Sequence, residues 1–181
     1  AGGGHVLRRP ELGGRRGWAA VRVAWAGAGV GISTGMLRGP QGVEVLTADR
    51  HQGTAIRPRA GHFHLRTLEL MRVAGIEDRV RTAALALYSP DGGINAVETL
   101  AGREIANYIA NINAGVEDIS PSRALFMPQQ VLEPILLQRA RELGARFKYA
   151  TELGGPAPDE HGVTRTGRQV RDGGERVTGP R

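Results

Sequence analysis

Cysteine is absent from the 181 residues, which excludes both a disulfide framework and a thiolate metal site. No apolar stretch approaches the roughly 18 residues of a membrane span, and the N-terminal residues lack the apolar centre of a signal peptide. The expectation is therefore a cytoplasmic protein with no membrane partner. Lysine is almost absent too: Lys148 stands alone among 24 basic residues, a bias that follows from coding composition as readily as from phosphate contacts. The net charge of +6 is also unevenly placed, because residues 1–22 hold five arginines against one glutamate. A nearly neutral body behind a basic tail argues against a nucleic-acid partner.

What is present is 40% hydrophobic, enough for one good core and short of two full domains. Residues 1–20 are rich in Gly and Arg without period and read as a disordered basic tail. Residues 154–181 string together Gly, Pro, Asp, Glu and Arg and read as a polar, irregular tail. The periodic sequence lies between them, and residues 21–153 are expected to form one domain.

That domain opens with a strand-like run, residues 21–26, which empties into Gly27, Ala28, Gly29, Val30 and Gly31. Glycines at such a turn let backbone N–H groups approach a pyrophosphate at a helix N-terminus. Residues 32–37 then begin a helix, which Gly39 and Pro40 should end early. Val43, Val45 and Leu46 mark a second strand closing on Asp49, 22 residues after Gly27, near the spacing of a ribose-binding acid. Strand, glycine turn, helix and parallel strand make one βαβ unit. Asp49 also suits the plainer task of capping a strand end.

A polar loop with Arg57, Pro58 and Arg59 comes next. Leu65, Leu68, Leu70, Met71 and Val73 have helical spacing closed by Gly75, and residues 76–84 form a second short helix. Alternating residues 94–99 and 105–109 flank Ala101 and Gly102, which predicts a hairpin inside the region 88–127. A short strand at residues 125–127 precedes Pro128, a good helix start, and Val131, Leu132, Ile135, Leu136 and Ala140 give that helix its apolar face before Gly144. Residues 147–150 return to the sheet. His62 and His64 alternate like metal ligands, but no acid or thiolate is arranged around them, so no metal site is expected.

In this order the pieces Gly27, Gly29 and Gly31, Asp49-Arg50-His51, Arg59-Ala60-Gly61, Arg66-Thr67-Leu68-Glu69, and Gln129 with Leu132 and Glu133 are similar to the FAD-dependent aromatic hydroxylases of the para-hydroxybenzoate hydroxylase type. The resemblance covers residues 21–153, the N-terminal part of such enzymes. It implies an α/β, Rossmann-like FAD-binding fold, a parallel sheet with crossover helices and an added β-hairpin, incomplete in this chain. It implies FAD as cofactor and NAD(P)H as reductant in the complete enzyme, with an aromatic small molecule as substrate. Carried over residue by residue, Gly27, Ala28, Gly29 and Gly31 line the pyrophosphate turn. Asp49 takes the place of the ribose-binding acid, and Arg50 lies against the adenine side. Arg59 reaches the ribityl and pyrophosphate region, and Gln129 opens a helix beside the flavin chain. None of these is a catalytic residue, because the flavin carries the oxygen chemistry and the protein positions it.

The chain also departs from that pattern. Only Val30 separates Gly29 from Gly31, one residue fewer than usual, which rotates the rest of the helix by about 100° and withdraws one N–H from the phosphate cradle. Gly35 stands where Ala is usual, and the later Asp-Gly and Gly-Asp-Ala pieces of the family are missing. Two functions remain as alternatives: the FAD-binding part of a flavoprotein monooxygenase, or a truncated, catalytically silent nucleotide-binding or interaction remnant.

Overall fold

The computed structural model describes residues 5–6, 22–26, 28–56, 59–159 and 162–170; Gly27, one of the expected pyrophosphate residues, lies outside the described residues. The chain separates into two compact units, residues 1–55 with 136–181, and residues 56–135. Residues 21–153, read from sequence as one domain, are divided between the two units, and the first unit also takes in residues of both expected tails.

The first unit is built on a parallel sheet. Strand β2 (Arg22–Ala26) runs into helix α1 (Ala28–Arg38), a 3-10 turn (Gly39–Gln41) and strand β3 (Glu44–Ala48). Strands β2 and β3 pair in parallel from Arg22 opposite Glu44 to Ala26 opposite Ala48, which is the expected βαβ unit. Helix α1 starts at Ala28, earlier than residue 32, so the glycine turn is itself the first helical turn. Its end at Gly39 and Pro40 follows from proline's missing donor. Strand β8 (Arg146–Lys148) joins the far side of β3 in parallel, and Arg146 pairs with Glu44 across the two strands. Ile32, Met36, Val45, Ala48, Leu136, Ala140 and Ala145 are buried in this unit.

The irregular tail expected over residues 154–181 is corrected at its described residues, 154–159 and 162–170. Strands β9 (Thr151–Asp159) and β10 (Gly162–Gln169) form an antiparallel hairpin, and β1 (His5–Val6), inside the expected disordered N-terminal tail, pairs with β10. The strand order β1-β10-β9 leaves β9 on an edge. An edge strand tolerates Pro156 and Pro158, which composition alone marks as breakers. The second partner of β10, the short β1, lies at the opposite end of the chain, where no local pattern reveals it.

The second unit holds β4 (His62–Phe63), helices α2 (Leu65–Val73) and α3 (Glu77–Leu85), the hairpin β5 (Ile94–Val97) and β6 (Glu104–Ile109), β7 (Leu125–Phe126), and the first turns of α4 (Gln129–Glu142). Gly75 and Gly144 close α2 and α4 with φ of 74° and 88°, which only glycine adopts freely. Leu68, Met71, Ile76, Val80, Leu125, Met127 and Leu132 form the core. Buried Asn113 braces it: the side-chain Nδ2 donates to the carbonyls of Pro90 (2.9 Å) and Ala124 (3.1 Å), and Oδ1 accepts the Ala124 N–H at 2.8 Å. Strand β4 is not among the elements expected from sequence, because two residues carry no period.

Candidate functional site

The register of β2 on β3 brings two of the expected site elements, the glycine turn and Asp49, to one end of the sheet in the first unit. Ala26 lies opposite Ala48, so the chain leaves β2 into the glycine turn beside the point where it leaves β3 at Asp49. Both exits are at the carboxyl ends of neighbouring parallel strands, where α/β sheets hold ligands. The first four N–H groups of α1, at residues 28–31, have no acceptor within the helix and carry the positive end of its dipole.

Gly31 lets that helix end sit close to the sheet. An added Cβ would overlap the Thr47 Cγ2 methyl, and the Thr47 hydroxyl donates to the Gly31 carbonyl at 3.1 Å. Thr47 is 2% exposed and two residues from Asp49, so one buried contact ties the helix start to the strand that carries the acid. Gly35 and Gly39 continue the same helix face: a Cβ at Gly35 would lie 2.7 Å from the Ala145 Cβ, and one at Gly39 would lie 2.6 Å from the Leu143 carbonyl oxygen. Gly35, a departure in sequence terms, is therefore required by close packing against Ala145. The shortened turn leaves α1 continuous from Ala28 to Arg38.

Asp49 is 7% exposed and held from three sides. Its Oδ1 accepts the His51 N–H at 2.9 Å, its own N–H donates to the Lys148 carbonyl at 2.9 Å, and its carbonyl accepts the Thr151 N–H at 2.8 Å. The His51 carbonyl accepts the Ala150 N–H at 2.8 Å, and Ala150 takes φ of 49° at this corner. Residues 148–151 thus clamp the acid. That contribution was missed in sequence, since nothing local links residue 150 to residue 49. Arg50 is exposed beside it.

Arg59 and Gln129 are brought together in the second unit. The Ala60 carbonyl accepts the Gln129 N–H at 3.1 Å, and the Gly61 carbonyl accepts the Met127 N–H at 3.0 Å, extending the pairing of His62 with Phe126. Arg59 is exposed at the open end of this ladder, while Gln129 is half-buried and its Nε2 donates to Glu133 Oε1 at 2.6 Å. Nearby, the His62 and His64 rings meet edge to face at 4.6 Å, and Phe126 packs on His62 at 5.2 Å. Burial, and then the neighbouring His64, hold the His62 pKa below its ordinary value. On α2, Glu69 is lowered by its bond from Arg66 and then by that from Ser120.

A strand, a glycine-bearing helix start and a buried acid at the next strand end define a dinucleotide-binding α/β domain. A family model described as "FAD binding domain" matches residues 20–179, and the chain belongs to that family, the FAD-binding domain of the flavin-dependent aromatic hydroxylases. It is 50% identical over 151 residues to a 4-methyl-5-nitrocatechol 5-monooxygenase of Burkholderia sp, covering 83% of this chain and 28% of that protein. A putative polyketide hydroxylase of Streptomyces halstedii is 36% identical, with 81% of this chain and 27% of that protein covered. Among solved structures, the flavin-dependent monooxygenase PieE in complex with FAD and substrate is 31% identical with a TM-score of 0.70, covering 84% of this chain and 28% of that one. The chain spans under a third of the length of these relatives. No helix among the described residues is long and apolar enough to cross a membrane.

Proposed function

We propose that the turn at residues 27–31 and Asp49 hold the pyrophosphate and adenosine ribose of FAD, with Arg50 on the adenine side, and that Arg59 and Gln129 hold the ribityl side. The observation that carries this reading is the register that brings the strand leading into α1 alongside the strand that ends at the buried Asp49. The residues fit the cofactor's chemistry. Free N–H groups at a helix start suit a diphosphate, a closely packed glycine leaves the backbone bare, and a carboxylate accepts ribose hydroxyls. When bound, FAD supplies the redox chemistry of hydroxylation with NAD(P)H and oxygen; the residues of this chain bind and orient it, and none is assigned a catalytic role. The relatives' names point to an aromatic ring, such as a nitrocatechol or a polyketide, as the class of substrate for a complete enzyme.

A second reading, a nucleotide-binding module without catalysis, is favoured by the glycine turn that is one residue short. Purification with FAD, removal of free ligand, and measurement of bound flavin absorbance and NADPH oxidation separate the two. Flavin retention is expected, and a colourless product refutes the binding reading. Retention with NADPH oxidation favours the first reading, and retention without it favours the second. A proline inserted between Gly29 and Val30 is expected to tighten FAD binding; no gain shows that the short turn does not limit affinity.

A further inference from the structure

We propose that Glu133 is a positioning residue that fixes the Gln129 carboxamide as a hydrogen-bond acceptor toward FAD, an inference that rests on the assignment of Gln129 to the cofactor. Gln129 and Glu133 stand one helical turn apart on α4, on the same face. The Glu133 side chain is 1% exposed, and its Oε1 accepts from Gln129 Nε2 at 2.6 Å. Burying a carboxylate is costly unless it is hydrogen-bonded, so a packing role alone is better filled by an apolar side chain.

The direction of the bond is what matters. An ionised carboxylate only accepts, so it selects the orientation of the amide and turns the NH₂ group of Gln129 toward Glu133. The Gln129 carbonyl oxygen is then the group left for a ligand, and it takes a donor such as a ribityl hydroxyl. The backbone of Gln129 is fixed independently by its N–H bond to the Ala60 carbonyl, next to Arg59. Main chain and side chain of Gln129 are therefore both set before any ligand arrives, which is how a binding group is preorganised.

The test exchanges the polarity of the pair in the full chain and reads FAD affinity by flavin fluorescence alongside the unfolding temperature without FAD. Glu133→Gln replaces a charged acceptor by a neutral one and is expected to weaken FAD binding about fivefold. Gln129→Glu sets two carboxylates against each other and is expected to weaken it about 30-fold or more. In the double variant donor and acceptor change places, and at least about tenfold of that loss is expected to return, because an acceptor again faces the ligand. Glu133→Gln binding FAD as tightly as the unmodified chain overturns the proposal. So does a double variant that regains its unfolding temperature without regaining FAD affinity, the mark of a purely structural pair. Failure of the unmodified chain to bind FAD overturns the cofactor reading itself, a distinct outcome.

Discussion

Gly31→Ala places a methyl group where α1 meets the sheet, and its effect follows from two opposed magnitudes. In a helix, alanine is favoured over glycine by about 1 kcal/mol, and less in the first turn, where Gly31 lies. Against that, the new Cβ overlaps the Thr47 Cγ2 methyl. Thr47 cannot turn aside cheaply, because its β-branched side chain is buried and its hydroxyl donates to the Gly31 carbonyl. The clash is relieved either by overpacking or by turning Thr47 away and losing the buried hydrogen bond, and each route costs about 1–3 kcal/mol. The net expectation is a loss of about 1–2 kcal/mol, read as a fall of about 3–6 °C in the unfolding temperature for a chain of this size. Thr47→Ser removes the clashing methyl and keeps the hydroxyl, at a cost of about 1 kcal/mol on its own. The double variant should then be more stable than the sum of the single effects by about 1 kcal/mol. Thermal unfolding of the four proteins, without added FAD, decides the matter. A Gly31→Ala protein as stable as the original, or strictly additive effects, would refute the close approach of helix and sheet.

Three further substitutions test other parts of the structure. Asp49→Asn keeps an oxygen for the His51 N–H, so the fold should hold, while FAD affinity falls about tenfold as a charged acceptor becomes neutral; unchanged affinity in a flavin titration removes Asp49 from the ribose site. His62 has a folded-state pKa below its ordinary value, so the unfolded chain binds the proton more readily. Its contribution is present above about pH 6.5 and is lost as pH falls below that value, until the lower folded pKa is passed. His62→Phe should therefore flatten the dependence of the urea midpoint on pH below about 6.5; an unaltered slope rejects this. Pro134 lies inside α4, exposed, where it cannot donate to the Gln130 carbonyl; Pro134→Ala should raise stability by about 1–3 kcal/mol, and a lower unfolding temperature would show that the ring is accommodated at no cost.

Much of the fold is legible before any coordinates, and the readable parts share a cause. The βαβ unit, helices α2, α3 and α4 and the β5–β6 hairpin are local, and each declares itself through apolar spacing, a glycine stop or a proline start. The two-residue strand β4 is too short for a period, and its partner β7 lies more than 60 residues away. Strand β9 is disguised by Pro156 and Pro158, and the second partner of β10, the two-residue β1, lies at the far end of the chain. Gly35 shows the same limit in reverse, since its lack of a Cβ looks like a flaw until Ala145 is found against it.

The amino-acid sequence by itself determined the chemical parts: a glycine-bearing helix start, an acid at the next strand end, an arginine and a glutamine further on, and the FAD family to which their order belongs. Tertiary structure alone decided how those parts are held. Residues 148–151 clamp Asp49, Thr47 ties the glycine turn to the sheet, and Glu133 orients Gln129. The identity of a binding group is written in its own residue and its neighbours in the chain. Its orientation depends on hydrogen bonds and contacts from residues brought close only by folding, and periodicity carries no record of those.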